Sequence, residues 1–223
     1  MVEDFIIVRT ADGSDTLYSA SMDESYHSRN GALQESMHVF IQAGLRDRKL
    51  DSLRVFEVGF GTGLNALLTW REAEEKGIHV YYEAIEAYPL LPSMYEHLHF
   101  ERESPSFPSD AMQQLHQCEW GTITYLGPFF SICKYKADFN TFEFGLPFDV
   151  VYYDAFSPDK QPELWTESIF RKVHQALNPN GLLVTYCAKG EVRRRMQRAG
   201  FQTERLPGPP GKREMLRATR GNQ

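Results

Sequence analysis

The chain has 223 residues, 42% of them hydrophobic, and a formal net charge of −6, enough length and apolar content for one buried core. No apolar run approaches the roughly 20 residues of a membrane span, and the acidic start Met1-Val2-Glu3-Asp4 lacks a secretory signal pattern, so the expected location is cytoplasmic. Cys118, Cys133 and Cys187 are odd in number and widely spaced, which points to neither a disulfide framework nor a zinc site, and no metal is expected.

Phe5 to Val8 and Thr16 to Tyr18 flank Asp12-Gly13 and predict an N-terminal hairpin. A polar stretch, Ser19 to Asn30, leads into a helix expected from Ala32 to about Lys49. A strand ending at Val58 is followed by a glycine loop, a helix over Leu64 to Lys76 and a stop at Gly77. His79 to Ile85 predicts a strand ending at Glu86. Pro89 to Phe100 and Ser109 to Cys118 predict helices, separated by the proline loop Ser104 to Pro108. Thr122 to Tyr125 and Phe130 to Ala137 predict a strand pair, with Asp138-Phe139-Asn140 at its exit.

Phe148 to Tyr153 is a near-continuous apolar run of the kind buried in a parallel sheet, and it ends in Asp154. Gln161 to Leu177 predicts a helix, Asn178 to Gly181 a turn, Leu182 to Cys187 a strand and Lys189 to Ala199 a helix. Phe201 to Leu206 and Met215 to Thr219 close the chain as a hairpin around Pro207 to Gly211. Strands and helices alternate for most of the length, the mark of a doubly wound α/β sheet. The expected organisation is an N-terminal hairpin and helix over residues 1–50, packed on a main domain over 51–223 as one globular unit.

The run Val55-Phe-Glu-Val-Gly-Phe-Gly-Thr-Gly-Leu-Asn65 is the most informative stretch. Glycines allow a tight turn and close approach to a ligand, and the helix that opens after them presents unpaired N–H groups. A dinucleotide fold has the order Gly-x-Gly-x-x-Gly; here it is Glu-x-Gly-x-Gly-x-Gly. A carboxylate beside the turn suits a cationic ligand better than a phosphate, which points to S-adenosylmethionine.

Ligands of open α/β sheets sit beyond the carboxyl ends of the strands. Acids hold that position on four predicted strands: Glu57, Glu86, Asp138 and Asp154. Glu86, 23 residues after Gly63, is placed for the ribose hydroxyls of a bound adenosine, and Asp138 for the adenine amino group. Each acid also has a plainer role open to it. Glu57 can satisfy loop amides, Glu86 and Asp138 can cap helices, and Asp154 can order the next turn through Ser157. His97 and His99 lie near Cys118 at a spacing that matches no common metal site. Trp165 and Phe170 read as core.

The charge is unevenly spread. Lys189 to Gln223 holds ten Lys and Arg against three Glu, a net of +7, while the first 188 residues carry a net of −13. A basic C-terminal segment can form a phosphate-binding face or simply a solvated one. Arg193, Arg194, Arg195, Lys212 and Arg213 are the candidates for such phosphate contacts.

Taken together, the glycine loop, Ile85-Glu86, the segment Asp149 to Trp165 and the tail Gly208 to Leu216 resemble the methyltransferase domain of the MnmC family, found alone as MnmD. Glu57 to Asn65 follows the family's opening motif. Asp154-Ala-Phe-Ser-Pro158, with Pro162 and Trp165, follows its Asp-Gly-Phe-Ala-Pro loop, and Gly211 to Leu216 follows its closing strand. Gly31 to Ser36, with Gln34-Glu35, is similar to a segment near the cofactor. The resemblance implies a Rossmann-like class I fold: a mostly parallel sheet with a C-terminal antiparallel hairpin and a small N-terminal one. It implies methyl transfer from S-adenosyl-L-methionine to the amine of 5-aminomethyl(-2-thio)uridine at the tRNA wobble position. Carried over, Glu57, Gly59, Phe60, Gly61, Gly63, Asn65, Glu86, Asp138 and Glu35 would hold the cofactor, and Asp154 would face the amine. Phe156 and Pro158 would wall the base pocket, and the basic candidates would meet the phosphates of tRNA.

Two departures from the family stand out. Ala155 and Ser157 replace its usual Gly and Ala, and no flavin oxidase domain follows, so a separate flavin enzyme or another pathway is expected to supply the aminomethyl uridine. An ordinary aspartate, with a pKa near ~3.9, is a weak base for an alkylammonium; Asp154 is therefore expected to orient the amine first and accept its proton second. The rival readings are a polyamine aminopropyltransferase on the same fold, a nicotinamide oxidoreductase disfavoured by the glycine spacing, and a non-catalytic RNA-binding module.

Overall fold

The computed structural model describes residues 5–48, 50–98, 100 and 108–222. The N-terminal hairpin forms as its sequence predicts. β1 (Phe5–Arg9) pairs antiparallel with β2 (Asp15–Ser19), Ile7 opposite Leu17. Asp12 Oδ1 accepts from the Ser14 amide at 3.0 Å to hold the turn. The polar stretch contributes a short third strand, β3 (Glu24–Ser25), against β2.

The helix expected from Ala32 to about Lys49 is broken into three. α1 (Ala32–Ser36) widens to a π turn over Met37–Gln42, in which the Ala43 amide reaches back to His38 O at 3.2 Å, and a 3₁₀ turn follows over Leu45–Asp47. The widened turn buries three consecutive apolar residues, Val39, Phe40 and Ile41. Lys49 lies outside the described residues, as do His99 and residues 104–107 of the predicted proline loop.

From β4 (Ser52–Val58) the chain runs through α2 (Leu64–Lys76), which ends at Gly77 with φ +65°, to β5 (His79–Glu86). The helix predicted over Pro89 to Phe100 is one turn, α3 (Pro92–Tyr95): Pro92 opens it and the Leu98 amide closes back on Tyr95 O at 3.0 Å. α4 (Ala111–Gln117), β6 (Thr124–Tyr125) and β7 (Phe130–Lys136) follow. β8 (Phe148–Tyr153) has the predicted bounds.

The helix predicted over Gln161 to Leu177 is also divided. A 3₁₀ turn at Pro162–Trp165 precedes α5 (Glu167–Ala176), because Thr166 is extended and its hydroxyl caps the Ile169 amide at 3.4 Å. The predicted turn Asn178 to Gly181 lies as a bulge within β9 (Leu177–Thr185): Phe148 pairs with Leu177 but Val150 with Leu182. α6 (Gly190–Arg198), β10 (Gln202–Pro207) and β11 (Glu214–Thr219) complete the chain.

The large sheet has the order β10-β11-β9-β8-β4-β5-β7-β6. The pairs β7–β5, β5–β4, β4–β8 and β8–β9 are parallel, while β11, β10 and β6 join antiparallel. One apolar cluster packs α2, α4 and the π turn on one side, with Leu17 of the N-terminal hairpin among its members. The other packs α5, α6 and Phe139 against Phe56, Phe148 and Tyr153. The chain winds outward from β4 to β7 and then crosses back to β8, so the sheet's switch point falls between β4 and β8, where such sheets open a crevice.

Candidate active site

The glycine loop leaves β4 at that crevice. Gly59 and Phe60 both donate their amides to Ile85 O, at 3.1 and 3.2 Å. Gly59 has φ +90°, and a Cβ there would lie 2.9 Å from the carbonyl oxygen of Asp154. The ends of β4 and β8 therefore touch backbone to backbone, which a side chain at position 59 forbids. Gly63, at φ +79°, opens α2, and a Cβ there would press on Phe60 and His116 at 3.1 and 3.3 Å.

A cavity of about 850 Å³ lies over the carboxyl edge of the sheet. Of the residues expected around the cofactor, Gly59, Phe60, Gly61, Asn65, Glu86, Asp138 and Glu35 line it, together with Asp154 and Phe156. Glu57, Gly63 and Pro158 are not among the lining residues. Pro158 thus does not wall the pocket; Tyr26 does, meeting the Phe156 ring edge-on at 5.0 Å.

Glu57 is fully buried beneath the floor and acts through Asn65. One amide nitrogen, Asn65 Nδ2, donates to Glu57 Oε1 at 2.9 Å and to Asp154 Oδ2 at 2.8 Å. Two carboxyls on adjacent strands are thereby tied to the first turn of α2. Burial drives Glu57 well above the usual carboxylate range. Asp154 is pushed up to about 7, by burial first and by the charge of Glu35 second, while Asn65 and Lys212 pull the other way. This overturns the premise of an ordinary aspartate: at neutral pH the carboxyl is poised to take a proton.

Glu86 accepts from the Gly61 amide at 3.0 Å and from the Tyr88 amide at 2.9 Å, and burial raises its pKa. Asp138 is exposed at the cavity edge and holds Asn140 through its amide and side chain, both at 2.9 Å. Ser157 does not serve Asp154; its hydroxyl donates to Glu24 Oε2 at 2.9 Å, so β3 braces the loop after β8. The loop is further pinned by Gln161 Oε1 on the Phe156 amide at 3.0 Å and by Trp165 Nε1 on Phe156 O at 2.8 Å.

The polar stretch between β2 and α1 supplies residues that sequence reading left without a role. Tyr26, His27 and Arg29 line the cavity. His27 Nε2 lies 2.7 Å from Thr62 Oγ1, and burial lowers its pKa to about 4, so it is neutral. The signal available was the aromatic and basic content of 26–29, unusual for a plain linker.

The proposed tRNA contacts divide. Arg194 and Arg213 are exposed. Arg195 instead donates to Trp165 O at 2.9 Å and pairs with Glu191, fastening α6 to the loop below. Lys212 points into the cavity: its Nζ is 2.5 Å from Glu35 Oε1 and 4.1 Å from the centre of the Tyr186 ring.

The residues fit S-adenosyl-L-methionine. A glycine cradle that a Cβ would fill faces the space, acids line it, and the buried Asn65 Oδ1 has no donor among the described residues. Among the described residues, no three His, Cys, Asp or Glu are placed to hold a metal ion, and no helix is long and apolar enough to cross a membrane.

Comparison with known proteins agrees. Residues 131–221 match the family model described as an S-adenosyl-L-methionine-dependent methyltransferase. The bifunctional protein MnmC of Cupriavidus metallidurans, named for tRNA 5-methylaminomethyl-2-thiouridine biosynthesis, is 30% identical over 90% of this chain and 32% of its own. The chain spans about a third of the length of the curated relatives it matches. The crystal structure of MnmC2 from Aquifex aeolicus has a TM-score of 0.79 at 25% identity, covering 99% of this chain and 72% of that one. Spermidine synthase from Thermotoga maritima (TM-score 0.61, 13% identity, covering 100% of this chain and 71% of that one) shares the fold. The fold is the Rossmann-like one of S-adenosyl-L-methionine-dependent methyltransferases, and the cavity over its carboxyl edge fits that cofactor. Among proteins of that fold, the chain is similar to the MnmC proteins along nine-tenths of its length.

Proposed function

We propose that the chain methylates the primary amine of 5-aminomethyl(-2-thio)uridine at the tRNA wobble position, giving the 5-methylaminomethyl form. The observation that carries this reading is the Asp154 carboxyl at the cavity floor, raised to about 7 and tied through Asn65 to Glu57. An amine must lose a proton to attack, and a carboxylate of that proton affinity beside it is matched to the task. The bound cofactor supplies an electrophilic methyl group on a sulfonium. Glu86, Asp138 and the Gly59 to Gly61 loop would hold its nucleoside, and the Asn65 side chain would face its charged end.

Asp154 orients the amine and takes its proton at Oδ1, because Oδ2 is already engaged by Asn65. Phe156 and Tyr26, packed edge to face, give a splayed base a stacking wall. Arg193, Arg194 and Arg213 remain the candidates for phosphate contacts. The aminomethyl uridine is supplied by a flavin-dependent oxidase activity or another route acting on a longer substituent, and the setting is the cytoplasm.

Mass spectrometry of wobble nucleosides, from aminomethyl tRNA incubated with protein and cofactor, tests the reading. A methylaminomethyl product supports it. Turnover of putrescine with decarboxylated cofactor, and none of tRNA, would move the chain to the aminopropyltransferases that share its fold.

A further inference from the structure

β11 runs antiparallel to β9, with Leu216 opposite Thr185, so the connection that precedes β11 emerges at the same sheet edge as Asp154. That connection is shaped by close contact. Gly211 has φ +82°, and a Cβ there would overlap the Asn30 side chain at 2.0 Å; His38 Nε2 lies 2.8 Å from Pro207 O. The loop is thus seated on the segment around α1, and from it Lys212 enters the cavity.

Two contacts, each held by a further hydrogen bond, define where Lys212 sits. Its ammonium is 2.5 Å from Glu35 Oε1, and Glu35 Oε2 accepts from the Ser28 amide at 2.8 Å. The same ammonium lies over Tyr186, whose hydroxyl donates to Ala155 O at 2.9 Å, one residue beyond Asp154. Glu35 is 7% exposed at its side chain and Lys212 32%. A cation so placed is a poor anchor for a phosphate outside the cavity and a strong influence on charges within it.

We infer that the Lys212–Glu35 ion pair belongs to the reaction centre, a positioning device that sets the charge felt by Asp154 and by the amine it receives. The inference rests on amine methylation being the reaction. A fixed ammonium beside the pocket disfavours a second ammonium there, so the substrate amine loses its proton more readily. The proton passes to Asp154, and the nitrogen lone pair is freed for the new N–C bond as the sulfonium C–S bond breaks.

The charged and titratable groups around Asp154 are Glu35 from α1, Glu57 from β4, Tyr82 from β5, Tyr186 after β9 and Lys212 from the β10–β11 connection. Of these, Glu35 raises the proton affinity of Asp154 and Lys212 lowers it. Removing either partner leaves the other uncompensated, so the two single variants must act in opposite directions.

The test is the titration midpoint of Asp154, read by carboxyl carbon NMR in cofactor-free protein, beside the acid limb of kcat/KM. In Lys212→Met both move up by about one pH unit, a tenfold loss of rate below the limb; in Glu35→Gln both move down by a similar amount. Lys212→Arg keeps the wild-type midpoint, and the double variant returns toward it. If Glu35→Gln does not fold, Lys212→Met and Lys212→Arg still decide. An unmoved midpoint in Lys212→Met, with tRNA affinity and its salt dependence reduced instead, would overturn the inference and make Lys212 a phosphate anchor. A midpoint that moves in a protein leaving tRNA unmethylated would uphold the pair and overturn the substrate assignment, which separates the two failures.

Discussion

Replacing Asp154 by Asn should abolish methyl transfer while making the protein more stable, and increasingly so as pH rises. The carboxyl has a pKa of 3.8 in the unfolded chain and about 7 in the fold. The native state therefore keeps a proton that the unfolded chain has lost, and stability falls as pH rises from about 4 to 7. Between pH 5 and pH 8 this one group removes about 2.6 kcal/mol from the wild type and nothing from Asp154→Asn. For a chain of this size that widens the gap in Tm by about 5–10 °C. Glu57, on the other side of Asn65, ionises more easily once Asp154 is neutral, which favours the folded variant further at high pH and widens the gap. Paired thermal unfolding curves at pH 5 and pH 8 read the difference directly, because every other titrating group is common to both proteins. A gap that does not change with pH would refute the raised pKa, and with it the assignment of Asp154 as proton acceptor.

Asn65→Ala removes the amide that serves both carboxyls; bonds to charged acceptors contribute about 1.5–3 kcal/mol each, so a clear loss of Tm and an upward move of the kcat/KM acid limb are expected. Gly59→Ala sets a Cβ 2.9 Å from a backbone oxygen at φ +90°; calorimetry should detect no cofactor uptake, whereas Gly145→Ala, with nothing within 4 Å, should bind as wild type does. Reversing Arg193, Arg194 and Arg213 to Glu should weaken tRNA binding at least about tenfold and flatten its salt dependence, with cofactor affinity unchanged. Equal tRNA affinity would remove the basic segment from the interface.

The glycine loop and the acids at the strand ends were legible because their geometry is local. A strand, three glycines and a helix dictate a turn, and strand alternation fixes which edge the acids reach. The elements that went differently depend on contacts distant in sequence. The helix after Ala32 widens to bury Val39 to Ile41 together, and the helix before Leu177 divides at extended Thr166. Tyr26 and His27 join the site through Phe156 and Thr62, 130 and 35 residues away. Lys212 read as part of a basic tail because charge counts do not reveal pairing, and its partner Glu35 lies 177 residues upstream. The proton affinity of Asp154 was likewise invisible: burial and the Glu35 charge, not residue type, set it.

Transfer of an isotopically labelled methyl group from S-adenosyl-L-methionine to tRNA, with the wobble nucleoside isolated afterwards, tests the central claim most directly. Label should appear on the wobble nucleoside only when the tRNA carries an aminomethyl uridine, and should vanish in Asp154→Asn while cofactor binding persists. Label retained in Asp154→Asn, or absent from aminomethyl tRNA with the wild type, would contradict it.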